Sequence, residues 1–290
     1  MLLSVITINY NGSEKTIKLL NSINSQTDHD FNTLILDNAS TKEDFDSLSA
    51  WCTKAPIAHL LISSSENLGF GQGINLLTRK AFEKGSDWIL VLNNDINLKP
   101  DFISLLKPNL TPGNDLVGIP LDEGGHIAYA GKIQWLKHTL QHTYQLTSLP
   151  AYEFYAIGGA FAIRKEVFEK LRGFDENYFM YFEDADLSLR AWRKGFKIKF
   201  IDKPIAHHPE VSFSGKKLGS PMLLRLHYRN AFYFNLKNGP WYIKLAVWPW
   251  SWIVVIKQLI KTGIKQNGEQ SIAILNGVVD FYKHRMGQIK

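Results

Sequence analysis

The 290-residue chain is 45% hydrophobic and 21% charged, which excludes long disordered stretches and allows one large domain or two small ones. Its single cysteine, Cys52, excludes an internal disulfide framework and a multi-cysteine metal site, and it fits a reducing compartment. The net charge of +6 is uneven, because residues 216–290 carry twelve Lys or Arg against two acids, whereas residues 1–215 carry more acids than bases. We therefore expect an acidic body and a basic, aromatic-rich tail with a separate role.

The first hundred residues alternate between strand-like and helix-like patterns. Strands are predicted at 2–9, 33–36, 59–63 and 88–92, and helices at about 14–25, 43–53 and 73–84. This alternation predicts a mainly parallel sheet with helices on both faces, in which ligands bind beyond the carboxyl ends of the strands. Polar clusters stand at three of those ends, at 9–11, 37–41 and 93–95.

The rest of the chain is less regular up to residue 215. Helices are predicted near 165–171 and 187–194, with a strand at 197–201. From residue 220 onward the pattern is helical, and we expect breaks at Pro240 and Pro249. Since no 18 uncharged apolar residues run together, we expect no membrane-spanning helix, and the start of the chain lacks the basic region of a secretory signal.

The sequence LNNDI at 92–96 ends the fourth strand with a carboxylate beside carboxamides. Mg²⁺ and Mn²⁺ accept one or two protein oxygen ligands and take the rest from water and phosphate, so Asp95 is a candidate cation ligand, with Asn93 beside it. The alternative is an ordinary turn stabilised by Asn and Asp side chains.

Two further segments suit a nucleotide. Asp37, after the second strand, could accept a hydrogen bond from a ribose hydroxyl or a pyrimidine N–H, or could simply cap a helix. The glycine-rich segment ENLGFGQGIN at 66–75 opens a helix and would let its backbone approach a nucleotide, although it is neither a Walker loop nor GxGxxG.

Three acids, Glu183, Asp184 and Asp186, follow an aromatic run and precede a predicted helix. Apolar surroundings can tune such a carboxylate to act as a general base, whereas the simpler interpretation is a favourable acidic helix start. A histidine pair, His207 and His208, follows Pro204. Such histidines are more often structural than ligands.

These motifs, in the order VITINYNG, LILDNAST, ENLGFGQGIN, LNNDI, GGAFAIRKEVF, GFDENYFMYFEDADLSLR, AHHPEVSFSG and HYRNAFYF, resemble family 2 of the inverting glycosyltransferases. The similarity is to the rhamnosyltransferase-like branch, which builds bacterial surface polysaccharides, and it covers nearly the whole chain. It implies a GT-A fold of class α/β: a Rossmann-like, mainly parallel mixed sheet flanked by helices, with a C-terminal helical tail. It also implies a nucleotide-sugar donor, a divalent cation (Mg²⁺ or Mn²⁺) and a glycan or lipid-linked glycan acceptor.

The resemblance also assigns roles by position. Asp184 would be the general base, with Glu183 beside it, while a cation at Asp95 would stabilise the departing diphosphate. The remaining cation ligands would be Asn93 and His207 or His208. The candidates for nucleotide-sugar binding are Asn9, Asn11, Asp37, Asn67, Gly69, Asn94 and Arg229, and Arg229 with Asn230 could instead support helix packing.

One residue departs from the family pattern. Asn93 stands where the metal-binding DxD motif has its first acid, so cation binding should depend more on the donor diphosphate. Asparagine is common at this place in the rhamnosyltransferase-like branch, so activity is still expected. dTDP-L-rhamnose is the leading donor by resemblance, and UDP-hexoses remain open.

The expected organisation is a nucleotide-sugar-binding half at 1–100, an acceptor-binding and catalytic half at 101–215, and a basic helical tail at 216–290. Trp241, Trp248, Trp250 and Trp252, interleaved with lysines, suit the surface of a membrane, or else a homodimer or domain contact. We expect a cytoplasmic enzyme, peripheral at the inner face of the cell membrane. A nucleotidyltransferase is less favoured, because its phosphate loop is missing. The acidic body argues against a non-catalytic glycan-binding or nucleic-acid-binding protein.

Overall fold

The structure, a computed structural model, describes residues 1–146, 150–208, 220–263 and 268–289. In this part of the chain the strands are β1 (Leu3–Asn9), β2 (Phe31–Asp37), β3 (Leu60–Ser63), β4 (Trp88–Leu92), β5 (Leu116–Gly118), β6 (Leu121–Glu123), β7 (Ile127–Ala128), β8 (Ala130–Lys132), β9 (Gln141–Thr143), β10 (Phe154–Tyr155), β11 (Ala160–Arg164), β12 (Ile198–Phe200) and β13 (Ala206–His208). The helices are α1 (Ser13–Asn24), α2 (Lys42–Lys54), α3 (Gly69–Glu83), α4 (Phe102–Leu106), α5 (Lys165–Leu171), α6 (Glu183–Arg193), α7 (Pro221–Asn238), α8 (Trp241–Gly263) and α9 (Gly268–Tyr282), with a 3₁₀ turn at Lys107–Asn109.

A seven-stranded sheet organises the body, in the order β12-β5-β11-β4-β1-β2-β3. The four strands of the first hundred residues are parallel to one another, while β11 runs antiparallel to both β4 and β5. The expected α/β fold with a mainly parallel mixed sheet is therefore confirmed.

Side chains of the sheet alternate between two hydrophobic layers, as the period of two in a strand requires. Leu3 and Val5 of β1 pack with α1 and α2 on one face, whereas Ile6 packs with α3 on the other. Because both faces are covered, the central strands are apolar on both sides, which is the pattern typical of parallel sheets.

Two small three-stranded sheets, β10-β8-β9 and β13-β6-β7, stand beside the body. The sequence showed no clear pattern for most of these strands, because pieces of two or three residues are too short to display a periodicity. They carry His142 and His208, which the candidate site uses below.

Two helices begin four residues earlier in the structure than the sequence predicted. Helix α3 begins at Gly69 rather than at residue 73, and α6 begins at Glu183 rather than at residue 187. In the first case three glycines weakened the helical pattern. In the second the acids form the first turn of the helix itself, where the helix dipole favours negative charge.

The tail forms helices α7, α8 and α9, which pack on one another through a cluster that includes Phe232, Val247 and Phe281. The predicted break at Pro240 is confirmed, but the predicted break at Pro249 is wrong, because α8 continues through it. Pro249 is exposed, so water can satisfy the carbonyl that proline leaves without a donor. The predicted boundary between residues 215 and 216 lies outside the described residues.

Candidate active site

Asn9, at the carboxyl end of β1, orients the carboxylates around it. Its Nδ2 donates hydrogen bonds to Asp37 Oδ1 at 2.9 Å and Asp44 Oδ2 at 2.8 Å, and its Oδ1 accepts one from Thr16 Oγ1 at 2.7 Å. Asn9 is fully buried. It therefore acts on Asp37 and Asp44 through these bonds, and it has no exposed atom with which to contact a donor.

Asp44, which the sequence analysis did not single out, accepts hydrogen bonds from Asn9 and from the backbone N–H of Ser13. Burial raises its pKa, but these hydrogen bonds outweigh burial, so the net pKa lies below the ordinary value. Asp37 is 3% exposed, and its Oδ2 accepts a hydrogen bond from the Ser40 N–H at 3.2 Å.

Asn11 and Asn94 lie at the neighbouring turns. Asn11 is exposed in the left-handed region at φ 48°, and its side chain accepts a hydrogen bond from the Thr41 N–H. Asn94 is partly exposed, and its Nδ2 donates to Thr16 Oγ1 at 3.1 Å. The ends of β1, β2 and β4 are thus joined by polar side chains, as the sequence predicted for a parallel sheet.

The turn at residues 67–69 is held by Asn38, a second residue that the sequence analysis missed. Asn38 Nδ2 donates to Asn67 Oδ1 at 3.0 Å, and Asn38 Oδ1 accepts from the Leu68 N–H at 2.8 Å. Asn67 Oδ1 also accepts from the Gly69 N–H. These bonds place Asn67 next to the end of β2.

The glycines of this segment allow close packing within the protein. A Cβ at Gly69 would stand 2.2 Å from the carbonyl oxygen of Phe179, and Gly69 has φ +73°. A Cβ at Gly71 would meet Phe174, and one at Gly73 would meet Ile8. Only glycine lets α3 approach these neighbours so closely.

Asp95 and His208 form a pair at the end of β4. Asp95 Oδ2 lies 3.2 Å from His208 Nε2, and Asp95 Oδ1 is buried and accepts no hydrogen bond from the described residues. Burial raises the pKa of Asp95, but the hydrogen bond and charge of His208 bring the net pKa below its ordinary value. Asp95 also borders a cavity of about 560 Å³ whose other wall is α1.

His207 belongs to a different pair. Its Nδ1 lies 3.0 Å from Asp122 Oδ2, because consecutive residues of β13 point to opposite faces. Of the two histidines that the sequence left open, only His208 stands beside Asp95.

A cation would have a carboxylate and an imidazole as ligands here. The buried Oδ1 of Asp95 is available, and one or two protein ligands are enough for an ion that also binds a diphosphate. Among the described residues no group of three or more His, Cys, Asp or Glu forms a complete metal cage. The residues thus fit a cation that is held jointly with a donor.

Two glycines connect this region with the acids of α6. The Asn93 N–H donates to the Gly159 carbonyl at 2.9 Å, and the Gly158 N–H donates to Asp184 Oδ2 at 2.8 Å. A Cβ at Gly158 would lie 3.2 Å from Asp184 Oδ2, so the approach requires a small residue. The segments of residues 93–95 and 184, far apart in sequence, thus meet at Gly158 and Gly159.

Glu183 and Asp184 are buried to different extents. Glu183 is 5% exposed and its Oε2 has no hydrogen-bond partner in the described structure, whereas Asp184 is partly exposed. Burial raises the pKa of both, and the charge of Asp184 raises the pKa of Glu183 further. Backbone N–H groups of Gly158 and Ala185 oppose the rise at Asp184, which therefore remains the better-stabilised carboxylate.

The turn before these acids has an unusual backbone. Tyr181 and Phe182 both have φ +74°, a conformation that is uncommon for residues with bulky side chains. Asn230 of α7, which is fully buried, donates to the carbonyls of Met180 at 2.7 Å and Tyr181 at 3.1 Å. The His227 ring stacks on Tyr181 with a centroid distance of 3.9 Å.

Arg229, a candidate for nucleotide-sugar binding by resemblance, has its guanidinium engaged within the protein. Its guanidinium is fully buried and donates to the carbonyls of Arg285 at 3.2 Å and Gly287 at 2.8 Å. Arg229 therefore ties α7 to the end of the chain, which is the packing alternative.

Glu123 and His142 form a further pair that sequence reasoning missed. Glu123 Oε1 lies 2.9 Å from His142 Nδ1, and Tyr144 donates to Glu123 Oε2 at 3.3 Å. Glu123 is also the register partner of His208 in the pair β6–β13, so the two side chains share a face. No sequence motif indicates the Glu123–His142 pair, because the strands that bring the two residues together are only three residues long.

Comparisons with known proteins agree on the fold and the class. The family model described as Glycosyl transferase family 2 matches residues 4–172, and one described as the N-terminal domain of galactosyltransferase matches residues 144–212. An N-acetylglucosaminyl-diphospho-decaprenol L-rhamnosyltransferase of Mycobacterium tuberculosis is 22% identical over 95% of this chain and 98% of its own length. Rhamnosyltransferase WbbL of Escherichia coli is 27% identical over 73% of this chain and 86% of its own.

Solved structures show the same fold. A mannosyltransferase of Pyrobaculum calidifontis, PcManGT, in complex with GDP-Man and Mn²⁺, superposes with a TM-score of 0.62 at 14% identity, over 98% of this chain and 87% of that one. TarS 1-349 of S. aureus in complex with UDP-GlcNAc gives 0.59 at 15% identity, over 98% and 81%.

Proposed function

The chain belongs to glycosyl transferase family 2, in its rhamnosyltransferase-like branch, and uses a nucleotide-sugar donor; from this premise we propose that it transfers L-rhamnose from dTDP-L-rhamnose to a hydroxyl of a lipid-linked glycan. The observation that carries the proposal is the meeting of residues 93–95 with Asp184 at Gly158 and Gly159. An inverting transfer needs a base on one side of the anomeric carbon and a stabilised leaving group on the other.

Asp184 is proposed as the base. Its two oxygens each accept one backbone hydrogen bond, which fixes the carboxylate and leaves further lone pairs for the acceptor hydroxyl. Because burial raises its pKa, it holds a proton more tightly than an exposed aspartate would. Glu183 lies beside it and is buried more deeply, and burial together with the charge of Asp184 raises the pKa of Glu183 well above the ordinary value.

Asp95 and His208 are proposed as the protein ligands of the cation, with Asn93 adjacent. The cation, when bound, neutralises the developing charge of the departing diphosphate. Asp37, Asn11, Asn67 and Asn94 are proposed to surround the nucleotide, with Asn9 fixing Asp37 from behind. In this proposal residues 1–100 hold the donor and residues 101–215 supply the base and the acceptor side.

The rhamnose donor and the lipid-linked acceptor are supported by the two rhamnosyltransferases, one of which is named for a diphospho-decaprenol acceptor. A cytoplasmic location follows from that proposal, since nucleotide sugars are made there.

The donor is tested by thermal shift of the purified protein with dTDP-L-rhamnose, UDP-glucose, UDP-GlcNAc and GDP-mannose, each with and without Mn²⁺. A bound donor stabilises the folded state according to its affinity, so dTDP-L-rhamnose should raise the melting temperature most. Slow hydrolysis of the same donor without acceptor would identify it as a substrate. A larger shift with a UDP-hexose would reject the rhamnose donor while leaving the enzyme class intact.

A further inference from the structure

Helix α8 presents an apolar face that no other described element covers. Its buried residues recur every three to four positions (Ile243, Val247, Ser251, Val254 and Gln258) and face α7 and α9. On the opposite side Leu245, Trp252, Ile253, Ile256, Leu259 and Ile260 are each between 55 and 63% exposed. Such a continuous exposed apolar face marks an interaction surface.

Length and composition alone would let α8 cross a membrane, since it has 23 residues and an 18-residue window within it has a mean hydropathy of 1.3. Its packing argues otherwise. The buried stripe runs from Ile243 to Gln258 and is occupied by helices of the same chain, so lipid can reach α8 from one side only. Helix α7, on which α8 packs, is also tied to the body through the hydrogen bonds of Asn230 to Met180 and Tyr181, so we expect α8 in the interface of a bilayer instead of across it.

The charges around this apolar face favour an anionic lipid surface over a second copy of the chain as its binding partner. Helix α8 has no Asp or Glu, and at 3.6 residues per turn Lys244 and Lys257 fall on opposite flanks of the apolar stripe. The acids of residues 220–289 are Glu269 and Asp280, and Asp280 is buried against Arg225 at 2.6 Å. A second copy would bring the same positive charge, whereas anionic lipid headgroups would neutralise it.

We propose that α8 lies flat on an anionic phospholipid bilayer, with the stripe from Leu245 to Ile260 in the headgroup and acyl boundary and the flanking lysines at the lipid phosphates. The lysine stems can extend along the apolar surface to reach that level. This contact requires neither donor nor acceptor, so it stands or falls separately from the proposed transfer.

Vesicle co-sedimentation of the full chain tests the surface. We expect binding to vesicles of phosphatidylglycerol and phosphatidylcholine that weakens in phosphatidylcholine alone and at high salt. Trp252→Glu with Ile256→Glu should lower the partition coefficient at least about tenfold. Lys244→Glu with Lys257→Glu should lower it on anionic vesicles only, by roughly fivefold or more.

The matched control carries the same number of new glutamates on exposed apolar residues of the body, Leu105→Glu with Tyr152→Glu, and should bind as the parent does. Equal loss in control and test variants would reject the surface. The proposal would also be rejected if the parent chain did not bind anionic vesicles. It would likewise be rejected if light scattering showed a dimer of the parent chain that Trp252→Glu abolishes. Circular dichroism and donor hydrolysis in solution should be unchanged in all variants.

The orientation of α8 relative to the bilayer is tested by measuring how deeply labels along the helix lie in the lipid. In a Cys52→Ser background, which removes the single native cysteine, Leu245→Cys, Trp252→Cys, Ile256→Cys and Ile260→Cys each receive a fluorophore. Quenching by lipids labelled at known depths should place all four at one shallow level. Positions 245 and 260 are about 22 Å apart along the helix, so a depth that changes steadily between them would show a spanning helix and overturn the proposal.

Discussion

Two carboxylates lie near the ends of β1 and β4, namely Asp44 in the first turn of α2 and Asp95, and they are held differently from those at the start of α6. Asp44 and Asp95 receive side-chain hydrogen bonds, from Asn9 and His208, and both have lowered pKa values despite burial. Glu183 is buried, Asp184 is partly exposed and accepts hydrogen bonds from backbone N–H groups, and burial raises the pKa of both. The first environment keeps negative charge, which suits a cation, while the second favours holding a proton, which suits a base.

Asp184→Asn should separate the two environments most clearly. The amide cannot accept the proton of the acceptor hydroxyl, so we expect kcat to fall by about a thousandfold or more, as general-base catalysis typically contributes 10²–10⁴. The donor is bound at the strand ends in this proposal, so its affinity measured by calorimetry should stay within about twofold of that of the parent protein. Near-normal turnover would remove Asp184 from the base role.

Asp95→Ala is the corresponding change at the strand ends. We expect nucleotide-diphosphate affinity in the presence of Mn²⁺ to fall at least about tenfold, because a ligand to the shared cation is lost. Asp122→Ala is the matched control, since Asp122 pairs with His207 on the other face of β13. If the parent binds nucleotide equally well with and without Mn²⁺ or Mg²⁺, Asp95 has no metal role.

Asn230→Ala examines how the base is positioned. Without its two hydrogen bonds the left-handed turn at Tyr181 and Phe182 should relax, and we expect kcat to fall about tenfold with the donor KM unchanged. Asn235→Ala removes a buried asparagine of the same helix that bonds Ala231 and Leu136 instead. Similar kinetic losses in both variants, tracking their melting temperatures, would reduce Asn230 to a purely structural residue.

The smallest effect concerns stability at different pH values. The folded-state pKa of Glu183 is raised, so between the unfolded value of about 4.3 and that raised value the folded state binds more protons. The free energy of unfolding should therefore decrease as the pH rises from 5 to 8. In Glu183→Gln, measured by urea denaturation at pH 5, 6.5 and 8, this decrease should be smaller; an unchanged slope would assign it to another group.

Much of the fold was predictable because its signals are local. Alternating strands and helices, with polar residues at the strand ends, predicted the parallel part of the sheet and the side on which Asn9, Asp37 and Asp95 would meet. The three-residue strands that carry Glu123 and His142 were not predictable, since such short pieces have no measurable period.

The sequence by itself determined the α/β class, the family and the acidic motif at residues 183–186, because these depend on residue order and short-range periodicity. Only the tertiary structure decided which histidine faces Asp95, that Arg229 is a packing residue, and that the glycines of α3 contact protein. Each depends on which distant segment fills the adjacent space. The neighbours of each side chain depend on long-range packing and on the face of the strand to which the side chain points. Neither can be read from a single short segment of the sequence.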